Sequence, residues 1–245
     1  MKVHVLSLFP ELLDQIFQTS ILGRAQNQNR LQVNCHQIRD FSKDRHRSVD
    51  DYPYGGGAGM VMTPQPIFDA HEHVTRVLNM QHRVRTIYCT PKGRIFTQNM
   101  AKELAQEKAL IFICGHYEGV DQRVIDALVT DEISIGDYVL TGGELPAAVM
   151  IDAIARMIPG VLKEALSFQE DSLFNGLLEH PHYTRPPVFR DMKVPEVLTS
   201  GHHVNIQKWR RYQSFRETYL KRPDLISNDR LTDEERQWLV LLKKK

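Results

Sequence analysis

No stretch of this chain is apolar for long enough to cross a bilayer, so a membrane-embedded function is excluded and no membrane partner is expected. The opening residues, MKVHVLSLFPELL, lack the long apolar core and small-residue end of a secretory signal, and a cytoplasmic location is expected. Cysteine is scarce. Cys35, Cys89 and Cys114 are odd in number, far apart and set in hydrophobic segments, which predicts buried thiols of a reducing compartment rather than a disulfide framework. No metal site is expected from them. Charge of one sign is missing overall, since the net charge is +1 and argues neither for nor against a polyanion partner. Two phosphate-binding signatures are also lacking: there is no GxGxxG, and GGGAGM is not followed by GK[ST]. A dinucleotide-binding domain and a P-loop NTPase are therefore poorly supported. Neither repeats nor low-complexity tracts occur.

What is present is enough chain, 245 residues at 42% hydrophobic, to bury a core in one large or two modest domains. Charge is unevenly spread along it. Residues 173–245 hold 14 Lys and Arg against 9 Asp and Glu, while residues 1–172 hold 17 against 21. A smaller basic part beside a larger acidic one suggests a polyanion-binding domain next to another function. The division expected is 1–160, a linker at 161–172, and a helical domain at 173–245 carrying Lys208, Arg210, Arg211, Arg216, Lys221 and Arg222.

The larger part reads as alternating strands and helices, an α/β domain with a mostly parallel sheet. Strands are expected at Lys2–Leu8, Leu31–Ile38, Val84–Cys89, Leu110–Cys114 and Glu132–Ile135, and the short apolar Leu110–Cys114 reads as the central one. Helices are expected from Pro10, from Pro64 and from about Asn99, Asp121 and Pro146. On the second of these, His71 and His73 are too close in sequence to share a helix face and are read as solvent-exposed. Three strands in succession lead into glycine- or proline-bearing loops, TPKGR, CGHYEG and LTGGELP, and in open α/β sheets such loops line one pocket. Thr141-Gly142-Gly143 either exposes backbone to a nucleotide-like ligand or is an ordinary tight connection. Between residues 39 and 59 a run of cations precedes Gly55, Gly56, Gly57 and Gly59, suited to phosphates and to closing over a base. The helix after Pro146 places Val149, Met150, Ala153, Ile154, Met157 and Ile158 on an expected buried stripe. Further on, helices are expected at His203–Trp209, Tyr212–Arg222 and Thr232–Leu242, the last opened by a capping box.

With YGGGAGM, CGHYEGVD, IGDYVLTGGELP, RMIPGVL, EDSL and PHYTRP all present in this order, nearly the whole chain resembles the bacterial tRNA (guanine-N1)-methyltransferases, which modify guanosine 37 beside the anticodon. The resemblance implies a SPOUT-class α/β domain with a deep trefoil knot and a smaller all-α C-terminal domain. It also implies S-adenosyl-L-methionine as methyl donor, tRNA rather than DNA as partner, and a homodimer with the active site at the subunit interface. A magnesium requirement is implied too, with no ligand cluster to assign to it. Two other readings stay open: a related methyltransferase acting on a different RNA site, and a non-catalytic RNA-binding protein.

Carried onto this sequence, the family's cofactor pocket falls on Pro91, Gly115, Tyr117, Glu118, Ile135, Gly136, Asp137, Tyr138, Val139, Leu140, Gly142, Gly143 and Pro146. Arg156 and Asp171 are the implied catalytic pair, with Asp171 taking the N1 proton of guanine; without the resemblance Asp171 reads as a helix cap. Gly57, Gly59, Ser172, Glu179, His182 and Arg185 are the implied substrate-binding residues. The sequence departs from the family at four places. His116 stands where an arginine is common, Tyr52 where an arginine precedes the glycine loop, Ala58 for a proline, and Glu179 for an aspartate.

Overall fold

In a computed structural model, residues 1–162, 171–227, 229 and 231–243 are described. The chain divides into two compact units, Met1–Ala165 and Leu166–Lys245. In the first unit, β1 (Lys2–Ser7), α1 (Pro10–Phe17), α2 (Ser20–Asn27) and β2 (Gln32–Gln37) are followed by two very short strands, β3 (Asp50–Asp51) and β4 (Val61–Met62). Then come α3 (Pro64–Leu78), β5 (Arg85–Ile95), α4 (Gln98–Leu104), β6 (Ala109–Cys114), α5 (Gln122–Leu128), β7 (Asp131–Ser134) and α6 (Glu144–Arg156).

Five strands form one sheet in the order β2-β1-β6-β5-β7, and every pairing is parallel. All six residues of β6 are buried, as a central parallel strand with both faces covered requires. Its alternate side chains go opposite ways. Leu110, Phe112 and Cys114 join a core with Leu13, Phe17, Leu104 and Ile151, whereas Ala109, Ile111 and Ile113 join another with Ile67, Ala70 and Val124. So α1, α2, α4 and α6 cover one face, and α3 and α5 the other.

Several expectations need correction. His71 is not solvent-exposed: its Nε2 lies 3.0 Å from Thr86 Oγ1, and burial lowers its pKa. Val149 stands 51% exposed, and the buried side of α6 runs instead through Ala147, Met150, Ile151 and Ile154. β5 does not stop at Cys89 but resumes after a register shift, because Cys89 and Arg94 both pair with Ile133 and the residues between are extruded. The apolar and β-branched residues of Ile135–Leu140 suggest a strand leading into the Thr141–Gly143 turn, but none forms there, and α6 begins at Glu144, two residues before Pro146.

His4 and His36 stack on adjacent strands, with His4 Nδ1 2.8 Å from His36 Nε2. Burial, then the neighbouring His36, Lys2 and His73, pull the His4 pKa from 6.5 to about 4. A histidine held neutral in the fold adds stability that is fully present above its unfolded pKa and is lost as pH falls toward the folded value. We expect thermal melts to show about 2–3 kcal/mol of stability lost between pH 6.5 and 4 that a His4→Gln variant does not lose. Parallel pH profiles for the two proteins would contradict this.

The second unit is chiefly helical but not all-α: β8 (Val188–Phe189) and β9 (Met192–Lys193) form a small antiparallel hairpin. After it come α7 (Glu196–Thr199), α8 (His203–Lys221) and α9 (Asp233–Lys243). α8 is one continuous helix where the sequence suggested two. Phe215 and Trp238 pack α8 against α9. The expected capping box is present, with Thr232 N–H donating to Glu235 Oε2 at 2.9 Å and Glu235 N–H to Thr232 Oγ1 at 3.2 Å. Glu235 also accepts from Arg211. Burial would raise its carboxyl, but these hydrogen bonds outweigh it and hold the pKa below the usual range. Residues 171–177 are turns rather than a helix start, so Asp171 is not a helix cap. The sequence also suggests Glu170 and Ser172 as part of that cap, and Glu170 with most of the expected linker falls outside the described residues.

Candidate active site

At the carboxyl ends of β5, β6 and β7 the first unit opens into a cleft of about 540 Å³, a size suited to a nucleotide-like ligand. It is built by the three loops read from the sequence. The residues extruded from β5 contribute Thr90, Pro91 and Lys92; the loop after β6 contributes Gly115 to Gly119; the segment after β7 contributes Ile135, Gly136 and Tyr138 to Gly143. Every cofactor residue implied by the resemblance lines this cleft except Asp137, which lies on the same segment and faces solvent.

The loops depend on close backbone approach. Gly143 N–H donates to Gly115 O at 2.9 Å. A Cβ on Gly143 would lie 2.7 Å from Cys114 Cα, so no other residue fits without moving the sheet. Tyr117, at φ +58°, is a non-glycine residue in the left-handed region on the cleft rim, a strained conformation of the kind that gathers at ligand sites. Its hydroxyl accepts from Arg39 Nη2 at 3.4 Å.

The glycine loop joins this site. β3 pairs with β4, and Met62 bridges Val120, with Met62 N–H donating to Gly119 O at 2.9 Å and Glu118 N–H to Met60 O at 3.0 Å. Gly59, at φ +83°, lies against Glu118, whose Oε1 would be 2.5 Å from a Cβ there. Gly57 is exposed and remains apart from the cleft lining.

The remaining implied residues belong to the second unit, apart from Arg156, which closes α6 and is half-buried. There a smaller cleft of about 240 Å³ is lined by Asp171, Glu179, His180, Arg210 and Arg211 among others. Glu179 N–H donates to Ser172 Oγ at 3.0 Å, and Glu179 Oε2 lies 3.3 Å from His182 Nε2, so Asp171, Ser172, Glu179 and His182 form one local group. Leu178 N–H donates to Thr218 Oγ1 at 2.9 Å, which fixes this group on α8. Arg185 lies beyond it, exposed.

The sequence reading missed Tyr88, Thr90, Lys92, Glu132 and Ser134, all of which line the larger cleft. Thr90 and Lys92 flank Pro91 in TPKGR and were accessible from the same loop. Burial raises the Tyr88 pKa. Among the described residues no group of His, Cys, Asp or Glu could hold a metal ion, and no helix is long and apolar enough to cross a membrane.

A parallel α/β sheet whose strand-exit loops line a cleft of this size is the architecture of an α/β protein with its binding site at the carboxyl ends of the strands. A family model described as tRNA (Guanine-1)-methyltransferase TrmD matches residues 1–228. Proteins named tRNA (guanine-N(1)-)-methyltransferase are 58% identical over 245 residues in Alkaliphilus metalliredigens, covering 100% of this chain and 99% of the relative. Another in Desulforamulus reducens is 55% identical, covering 99% and 95%, and one in Bacillus cereus 53%, covering 99% of each chain. The chain belongs to the tRNA (guanine-N1)-methyltransferase family.

Proposed function

We propose that this protein transfers a methyl group from S-adenosylmethionine to N1 of guanosine 37 in tRNA, with the cofactor in the 540 Å³ cleft. The observation that carries the reading is the convergence of three backbone-exposing loops on one cleft within a chain of this family. The fit is supported by the bare main chain at Gly115, Gly142 and Gly143, where close packing keeps side chains out, and by the half-polar lining that Glu118, Tyr117 and Tyr138 provide. S-adenosylmethionine supplies an electrophilic methyl group on a sulfonium centre.

The chain's own residues must do the rest. Guanine N1 carries a proton at neutral pH, so a base has to remove it, and Asp171 takes that role. Charge then spreads to O6, where Arg156 stabilises it with an effect on the order of a few kcal/mol in a water-excluded site. Ser172, Glu179, His182 and Arg185 hold the RNA, and the basic face of α8 meets the phosphates of the anticodon stem-loop. A base stacked in that loop costs a few kcal/mol to extrude, so such contacts are needed.

The active site forms, in this reading, between two copies of the chain. Support comes from α1 and α6, neighbours in the first unit, which expose Leu12, Leu145 and Val149, with Phe9 exposed just before α1. A trefoil knot is supported by the path of the chain. From the edge strand β7 it returns past β5 to the end of β6, where Gly143 is packed against Cys114. The work is placed in the cytoplasm, with tRNA.

The test is methylation of paired tRNA transcripts with G or A at position 37, beside calorimetry with S-adenosylhomocysteine. We expect methyl incorporation only into the G37 transcript and binding of one ligand per cleft. Methylation of the A37 transcript, or of ribosomal RNA in preference to either, would favour the different-site reading. Absence of any S-adenosylhomocysteine binding would favour a non-catalytic RNA-binding protein.

A further inference from the structure

Two buried polar side chains in the first unit lie outside the cleft lining and outside the chemistry proposed above. Ser7, at the end of β1, is fully buried, and Glu144, the first residue of α6, is 5% exposed. They are 137 residues apart in sequence, and Ser7 Oγ donates to Glu144 Oε1 at 2.7 Å. A buried carboxylate is costly unless its oxygens are satisfied and its position is fixed. Here it is fixed from two sides. Ser7 Oγ also accepts from Phe9 N–H at 2.8 Å, so the serine has no freedom to turn away. The other carboxylate oxygen, Oε2, lies directly beneath Gly142, closer than a side chain at that position would permit.

The same strand end reaches the neighbouring loop. The Phe9 ring packs edge-on against His116, with centroids 5.2 Å apart, and His116 Nδ1–H donates to Thr141 O at 2.7 Å. Thr141 and Gly142 are thus held from opposite sides, one through His116 and one through Glu144, and both holds lead back to Ser7 and Phe9. Thr141, Gly142 and Gly143 line the larger cleft.

We propose that Ser7 and Glu144 are positioning residues for the cofactor: the buried hydrogen bond between them fixes the Thr141–Gly143 turn in the shape that binds the methyl donor. This rests on the cleft being the S-adenosylmethionine site. Neither residue touches the ligand; each acts through the turn. Removing the carboxylate leaves the Ser7 O–H without its acceptor in the core and lets the turn drift toward the space beneath Gly142. Glutamine keeps an oxygen that accepts from Ser7 and keeps the volume beneath Gly142, so it should restore the function.

The experiment uses the full-length protein, with S-adenosylhomocysteine titrated calorimetrically and steady-state kinetics measured separately in S-adenosylmethionine and in tRNA. Glu144→Ala is expected to weaken S-adenosylhomocysteine binding about tenfold and to raise KM for S-adenosylmethionine equally, with KM for tRNA unchanged. Glu144→Gln is expected to stay within about threefold of wild type, and Ser7→Ala to weaken binding about fivefold. A merely structural role would move both KM values together, and that result overturns the proposal, as does wild-type affinity in Glu144→Ala. Should Glu144→Ala not fold, Ser7→Ala decides, and unchanged affinity there is equally fatal. If the wild-type protein binds no S-adenosylhomocysteine, the cleft assignment itself fails and the positioning role falls with it. Normal wild-type binding with indifferent variants removes the positioning role alone.

Discussion

Replacing Asp171 with asparagine is expected to reduce methyl transfer to tRNA by on the order of a thousandfold while leaving S-adenosylhomocysteine affinity unchanged. Asparagine has the same shape and cannot take a proton from guanine N1. The local turn should survive, because the hydrogen bond that Phe174 N–H donates at 3.2 Å goes to the main-chain oxygen of residue 171, not to its carboxylate. Asp171 belongs to the second unit and is not among the residues that line the larger cleft, so cofactor binding has no reason to change. The check is single-turnover methylation with saturating tRNA, alongside calorimetry. Turnover within tenfold of wild type would remove Asp171 from the chemistry and leave it a role in RNA contact.

Arg156→Ala is expected to lose on the order of a hundredfold or more in kcat, since a charge developing on O6 would lose its partner. The more telling result concerns mixtures. If each site takes Arg156 from one subunit and Asp171 from the other, refolding or co-expressing the two inactive variants together produces heterodimers with one intact site of two. Statistical mixing then restores about a quarter of wild-type activity. Each variant alone remains inactive. A mixture no more active than its components would place both residues of a site in one chain, and the interface reading would be wrong even if the enzyme is dimeric.

Most of the sheet could be read from the sequence, because β6 is a short apolar run and β1 and β2 set apolar residues in alternation with polar ones, and these strands and β7 all lie within a residue or two of expectation. The errors have physical causes. The sequence of β5 reads as ending at Cys89, just before Pro91, since proline removes a ladder donor, but the chain extrudes those residues and pairs again from Arg94, which only the partner strand could reveal. Proline also misplaced the start of α6. It marked a first-turn position correctly, but Glu144 and Leu145 precede it, and the buried Glu144 is held by a residue far away in the chain. His71 was read from spacing on its own helix, whereas Thr86 on β5 determines its environment. The expected break in α8 at Arg210 and Arg211 does not occur, because Arg211 is paired with Glu235 of α9 and the helix runs on. The larger cleft was accessible as a cluster of loops; Ser7, in a strand read only as core, carried no local signal that it would support one of them.

The placement of β6 bears on the order in which the protein comes apart. With its six residues sealed and a partner strand on each side, its amide protons should exchange with deuterium only when the whole unit opens. The exposed glycines 55–57 and 59, by contrast, lie on a segment tethered only at its ends and should exchange through small local fluctuations. The strand end that carries Gly115 would then persist while the glycine segment fluctuates, so motion of that segment need not loosen the central strand.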